Sequence, residues 1–163
     1  MENLMEVLAE HPFLKGLAPQ HIKVLASDCV RHVQFEPRQV IFHEGEEAHR
    51  FYLLRQGRVA IEVRAPQRGP LTVETVQAGE VLGWSWLVPP HRFHFDARAI
   101  ELTRAIELDG RRLRTCCEQD HDLGFDLFQR FAQVIADRLQ GTRMQLMDLY
   151  GVHPTPSHAG GSR

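Results

Sequence analysis

The hydrophobic period of this chain changes twice, and those two changes leave few folds open. Through the first 29 residues the apolar positions recur at helical spacing: Leu4, Met5 and Leu8, then Phe13 past Pro12, then Ile22, Leu25 and Ala26 behind Pro19. From Val30 the repeat drops to two residues, as in strands whose alternate side chains share a face. Strands are expected at 30–35, 40–42, 50–54, 58–63, 71–76, 93–99 and 103–108, with turns at Glu36-Pro37-Arg38, at Gln56-Gly57 and over 65–70. Eight or so short strands, punctuated by glycine and proline, indicate a sandwich or barrel. After Leu108 the period is helical again. Asp109 is placed to cap a short helix through Cys117, and Asp120 or Asp122 a long one reaching about Tyr150.

On that long helix Phe128, Phe131, Ile135, Leu139, Thr142, Leu146 and Leu149 step by 3, 4, 4, 3, 4 and 3 residues. The mean step of 3.5 is the period of a coiled-coil seam. A helix of this length outruns a small barrel, so a homodimer through it is expected; packing on its own barrel is the alternative. One domain is expected over 1–150, divided into N-terminal helices (1–29), a β-roll (30–108) and C-terminal helices (109–150). The tail 151–163, with two prolines and Gly160-Gly161, is expected to be disordered.

Composition narrows the function. Hydrophobic residues make up 43% and charged residues 25%, with a formal net charge of −2, whereas a free-standing nucleic-acid binder is more often basic. The longest apolar run, Val81 to Pro90, is broken by Gly83 and Ser85 and is far short of a membrane span. No basic region followed by an apolar one opens the chain, so the cytoplasm is the expected compartment. Cys29, Cys116 and Cys117 do not make a disulfide framework; the adjacent pair Cys116-Cys117, with no spaced CxxC partner, reads as buried reduced thiols on a helix, with a redox or metal site as the alternative.

The segment richest in chemistry runs from Gly79 to Ala99: Gly79-Glu80-Val81-Leu82-Gly83-Trp84-Ser85-Trp86, then Phe93-His94-Phe95-Asp96-Ala97-Arg98-Ala99. A glycine turn there would free backbone N–H groups and the start of a short helix to meet an anion. Upstream lies Ile41-Phe42-His43-Glu44-Gly45-Glu46-Glu47-Ala48, followed by Phe51 to Leu54 and Gly57. Together with the order helix, eight-strand roll, Gly-Glu turn and long helix, these motifs resemble the cyclic nucleotide-binding domain. Arg138-Leu139-Gln140-Gly141-Thr142 is similar to the long helix of catabolite-activator-type regulators.

The resemblance implies a mainly β fold, an eight-stranded jelly roll with N-terminal helices and a long C-terminal helix. It implies a ribose contact at Gly79-Glu80, phosphate-facing N–H groups around Gly83 and Trp84, and a base contact at Thr142. It also implies an arginine, a small polar residue and an alanine where this chain has Phe93, His94 and Phe95. Without that arginine, a phosphate in the pocket would keep an uncompensated charge. Arg92 is the nearest substitute, with a bulge in the strand to turn it inward, and His94 faces the pocket in the same alignment. Arg98 is expected to point away. Trp84 and Trp86 either wall a flat ligand or, with Phe93, fill the pocket as core.

The resulting reading is a regulatory sensor domain, not an enzyme. Its cyclic nucleotide binding is altered or lost, and it signals as a homodimer to a separate effector protein. No cofactor is assigned beyond a possible cyclic nucleotide or other small ligand. Direct DNA binding is not expected, because family members that bind DNA continue into a helix-turn-helix domain and the residues after Tyr150 are too few for one. The alternatives are an interaction module with a filled pocket and, third, a cupin-like metalloenzyme. His43, His49, His91 and His94 lack the close His-x-His spacing that a cupin centre needs, so no metal site is assigned.

Overall fold

A computed structural model describes residues 3–27 and 30–151. The elements follow the order α1 (Leu4–Glu10), α2 (Pro19–Ala26), β1 (Val30–Phe35), β2 (Val40–Phe42), β3 (Arg50–Gln56), β4 (Arg58–Ala65), β5 (Gly69–Gln77), β6 (Val81–Leu82), β7 (Asp96–Ala99), β8 (Thr103–Asp109), α3 (Gly110–Gln119) and α4 (His121–Leu149). Two four-stranded antiparallel sheets, in the orders β1-β8-β3-β6 and β2-β7-β4-β5, make the expected jelly roll. Expectations for Cys29 and for the tail beyond Gly151 fall outside the described residues.

Local chemistry sets the element boundaries. Asn3 caps α1 by accepting from the Met5 N–H, and Pro19 opens α2 with its fixed φ. The Asp109 carboxylate accepts from the N–H groups of Arg111 and Arg112, and Asp120 accepts from Leu123, so both predicted caps are in place. Gly57, between β3 and β4, has φ +95°, and a Cβ there would lie 2.4 Å from the Leu102 carbonyl oxygen. Only glycine fits that crossing.

The two sheets share one core, and the first sheet buries its other face in a second. Inside the roll, Phe35, Phe42, Tyr52, Leu54, Val59, Ile61, Leu82, Phe93 and Ala97 pack between the sheets. On the outer face of the first sheet, Phe51, Leu53, Ile106 and Leu108 meet Leu8, Leu25, Leu113, Leu123, Leu127 and Phe131 from the helices. Alternation along β3 and β8 sends successive side chains to these two cores, which is why the middle of each strand is buried on both faces.

Two expectations about element detail are corrected. Phe93 to Phe95 do not extend β7, which begins at Asp96. The Phe93 N–H instead donates to Glu46 and its carbonyl accepts from Gly45, tying this segment to the β2–β3 turn. Phe131 does not belong to the exposed seam of α4, because it is fully buried against Phe13, Phe51 and Trp86. The outward stripe is Phe125, Phe128, Ala132, Ile135, Leu139, Thr142, Leu146 and Leu149. Its steps alternate 3 and 4 throughout, a stricter heptad than the expected one.

Candidate functional site

The cassette begins at Gly83, whose φ of +93° turns the chain out of β6. The expected short helix is absent: Leu87 and Val88 N–H groups close back on Trp84 and Ser85, making a single turn without a helical dipole. Trp84, half-buried, stacks on the exposed His94 with ring centres 5.0 Å apart and meets Phe95 edge-on at 6.1 Å. Ser85 Oγ lies 3.3 Å from His94 Nδ1, which fixes the imidazole from its other side. Three neighbouring aromatic rings therefore face one another where the sequence reading expected an anion.

Phe93 turns the other way, into the roll, where it is 7% exposed and stacks on Phe42 at 3.6 Å and 6°. The two tryptophans also part. Trp86 is fully buried on the helix side of the first sheet, parallel to Phe51 at 4.8 Å, so it is core and not a ligand wall. Its carbonyl accepts from Arg114, anchoring α3 beside the cassette.

Neither neighbouring arginine faces the cassette. Arg92 donates to the Gly45 carbonyl at 2.8 Å, on the β2–β3 turn. Arg98 is bound to Glu62 at 2.8 Å and to the Arg38 carbonyl, on the face opposite the inward Ala97 and Ala99, as its spacing predicted.

Gly79 and Glu80 are separated from the Trp84–His94 group. The Glu80 carboxylate closes its own turn by accepting from the Gln77 N–H. Both residues line a cleft of about 220 Å³ with Pro12, Phe13, Val134 and Arg138, between the N-terminal helices and α4. Thr142 lies on the exposed stripe of α4, its hydroxyl donating to the Arg138 carbonyl one turn earlier. Of the seven expected site residues, the structure brings together Gly83, Trp84 and His94. It places Gly79, Glu80, Arg92 and Thr142 elsewhere.

The residue that the sequence reading passed over is Arg138. Its guanidinium is 12% exposed, pairs with Glu74 at 3.2 Å and donates to the Val81 carbonyl at 2.6 Å. Burial holds its pKa down against the carboxylates of Glu74 and Glu80, and burial raises Glu74 despite the arginine. Two turns on, Gln145 donates to the Val73 carbonyl. The motif around Arg138 was visible; its partners on β5 and β6 are distant in sequence and carry no local signal.

Other candidate chemistry is muted. Burial, then the neighbouring Cys116, pushes the Cys117 thiol up to about 11, so it is a poor nucleophile. Among the described residues no group of three or more His, Cys, Asp or Glu is placed to hold a metal ion. No described helix is long and apolar enough to cross a membrane.

The model of the cyclic nucleotide-binding domain matches residues 32–120, which contain the whole cassette and most of the roll. The chain belongs to the cyclic nucleotide-binding domain family. A CRP-like cAMP-activated global transcriptional regulator of Mycobacterium tuberculosis is 26% identical over 144 residues, 88% of this chain, and the chain spans 62% of that regulator's length. A solved Geobacter metallireducens protein named for cyclic nucleotide binding aligns with a TM-score of 0.76 at 29% identity, covering 85% of this chain and 99% of that one. The regulatory subunit of a cAMP-independent protein kinase A from Trypanosoma cruzi, bound to guanosine, aligns at 0.68 and 26% identity over 90% of this chain and 50% of its own. The fold is thus that of a cyclic nucleotide-binding sensor domain, and the Mycobacterium and Trypanosoma relatives are regulatory proteins.

Proposed function

We propose that this domain regulates a partner without a cyclic phosphate in its cassette. The observation that carries the reading is Phe93, buried on Phe42 at the position that the family gives to its phosphate-binding arginine. A cyclic phosphate entering there would give up water for a hydrocarbon ring, at a penalty of several kcal/mol on the order known for unpaired buried charge. Arg92 and Arg98 are already committed to other oxygens. The ribose anchor is also compromised: the Glu80 carboxylate is turned to the Gln77 N–H.

Signalling would run through α4. Its outward stripe leaves Phe125, Phe128, Leu139, Leu146 and Leu149 more than half exposed, an apolar surface that a second copy of the same helix covers at heptad spacing. The paired helices would then present the state of two rolls to a separate effector protein in the cytoplasm. The domain, read as 1–150, needs no catalysis for this, in keeping with its regulatory relatives.

Calorimetry on the full chain with cyclic AMP, cyclic GMP and guanosine tests the reading. No heat from either cyclic nucleotide is expected. Binding of either one tighter than micromolar would overturn the proposal. Guanosine separates two forms of it. The Trypanosoma cruzi relative is solved with that uncharged nucleoside, and Trp84 and His94 offer a stacking surface to a base. Packing of Ile61, Leu82 and Phe93 instead favours a filled module that takes nothing small.

A further inference from the structure

A cavity of about 390 Å³, whose lining includes neither Trp84 nor His94, opens at the mouth of the roll, where β2 and β3 meet the corner between β8 and α3. Its volume is in the range of small-molecule sites. Ile41, Phe42, Tyr52 and Phe93 give it an apolar and aromatic lining, and Glu46 and Arg50 both border it.

Charge around this cavity is sorted by position. Glu107 on β8 accepts from Arg31 at 2.8 Å and lies 3.3 Å from Arg50, so two guanidiniums share one carboxylate and one positive charge is left over. Arg111 lies 3.8 Å from Glu47, with His49 between them, and that pair is neutral. Asp109 caps α3 and has the Arg112 guanidinium 3.9 Å away to offset its charge. Among the charged residues that line the cavity, Glu46 alone makes no side-chain hydrogen bond or ion pair with the described residues. Tyr52, whose pKa is pushed up to about 12 by burial and then by Glu107, stays protonated beside Arg50.

A cleft lined by a surplus guanidinium charge, an unpaired carboxylate and aromatic rings suits a ligand that carries both charges and an apolar group. We propose that this cleft binds a small zwitterion of the α-amino acid class. The carboxylate meets Arg50, the ammonium meets Glu46, and an apolar side chain lies over Phe42 and Phe93. Because Phe93 also occupies the old phosphate position, occupancy here bears directly on the cassette. The inference does not depend on whether the cassette takes a nucleotide.

The test is calorimetry of the full chain with L-phenylalanine and L-leucine, beside N-acetyl-L-phenylalanine and L-phenylalaninamide, which each lack one charge. Binding by the free amino acids, weakened roughly tenfold or more by either cap, is the expected result. Glu46→Gln should reduce the penalty for acetylation, and Arg50→Gln the penalty for amidation; both residues are exposed, so the fold is retained. Amide chemical shifts of Gly45 and Phe93 should move on binding. No binding by any amino acid, equal binding by the capped forms, or shifts confined to other regions would each overturn the proposal. Failure to bind cyclic AMP in the same titrations leaves this result unaffected, so the two proposals fail separately.

Discussion

The guanidinium of Arg138 on α4 lies 3.2 Å from the carboxylate of Glu74 on β5, and it is the more deeply buried of the two. Arg138 also donates to the Val81 carbonyl, and past it the described side-chain hydrogen bond from α4 to the roll is that of Gln145 to Val73. The N-terminal part of the helix is held quite differently, by Leu123, Leu127 and Phe131 in the core. Arg138→Ala would leave the Val81 carbonyl and Glu74 without their cation, a loss of about 1–3 kcal/mol. Hydrogen exchange should then rise across 139–149 and stay unchanged near Phe131. Uniform change along the helix would show that Arg138 does not fasten this half.

Gly110, the first residue of α3, lies under Trp86, and a Cβ at that position would be 2.7 Å from the tryptophan Cβ. Gly110→Ala should destabilise by about 1–3 kcal/mol through overpacking, which exceeds the helix-propensity gain of roughly 1 kcal/mol. Thermal unfolding measures this directly. A raised midpoint would mean that the helix start relaxes at little cost.

His11 donates from Nε2 to the Leu54 carbonyl and accepts at Nδ1 from the Phe13 N–H, a pattern that only the neutral ring can make. Burial, the largest influence, lowers its pKa, and Arg55 adds to that against the raising effect of the Leu54 carbonyl. The unfolded chain therefore takes up a proton first. The resulting stability is present above the ordinary value of 6.5 and is lost as pH falls below it. Urea midpoints of the parent should drop between neutral and mildly acid pH, and those of His11→Gln should drop less. Equal slopes would contradict a neutral buried His11.

The outer stripe of α4 and the buried Phe131 lie on one helix but should respond in opposite ways. Leu139→Asp with Leu146→Asp should abolish the dimer by sedimentation and leave the fold intact. Phe131→Ala should cost about 3–5 kcal/mol in stability. If the double variant sediments like the parent, the stripe is not the dimer seam.

Restoring the missing chemistry is the most demanding test of the cassette. A variant carrying Phe93→Arg, His94→Ser and Phe95→Ala should gain measurable cyclic AMP binding if its circular dichroism is unchanged. A well-folded triple variant that binds none would locate the block outside these three positions.

The fold was legible because periods of two and 3.6 are written directly into the residues, and because Asp109, Asp120 and Pro19 mark their boundaries. The cassette was less so. Glu80 beside Gly79 has the residue types of a ribose contact, yet its carboxylate is turned to its own strand end by the Gln77 N–H. Phe93 to Phe95 alternate like a strand, but hydrogen bonds to the distant Gly45 and Glu46 hold them out of β7. The expected stripe took Phe131 over Ala132 because sequence ranks the larger ring as the better seam residue. Only the fold reveals that Phe51 and Trp86 already claim it.

Fixing α4 in the core near Phe131 and only by polar contacts beyond it makes the helix a lever with a fulcrum. At about 1.5 Å per residue, its tip at Leu149 lies roughly 27 Å from that pivot. A tilt of about 10° at Phe131 would carry the tip sideways by roughly 5 Å, close to the width of one helical turn. A sub-ångström rearrangement around Arg138 would therefore be magnified where a second protein can feel it.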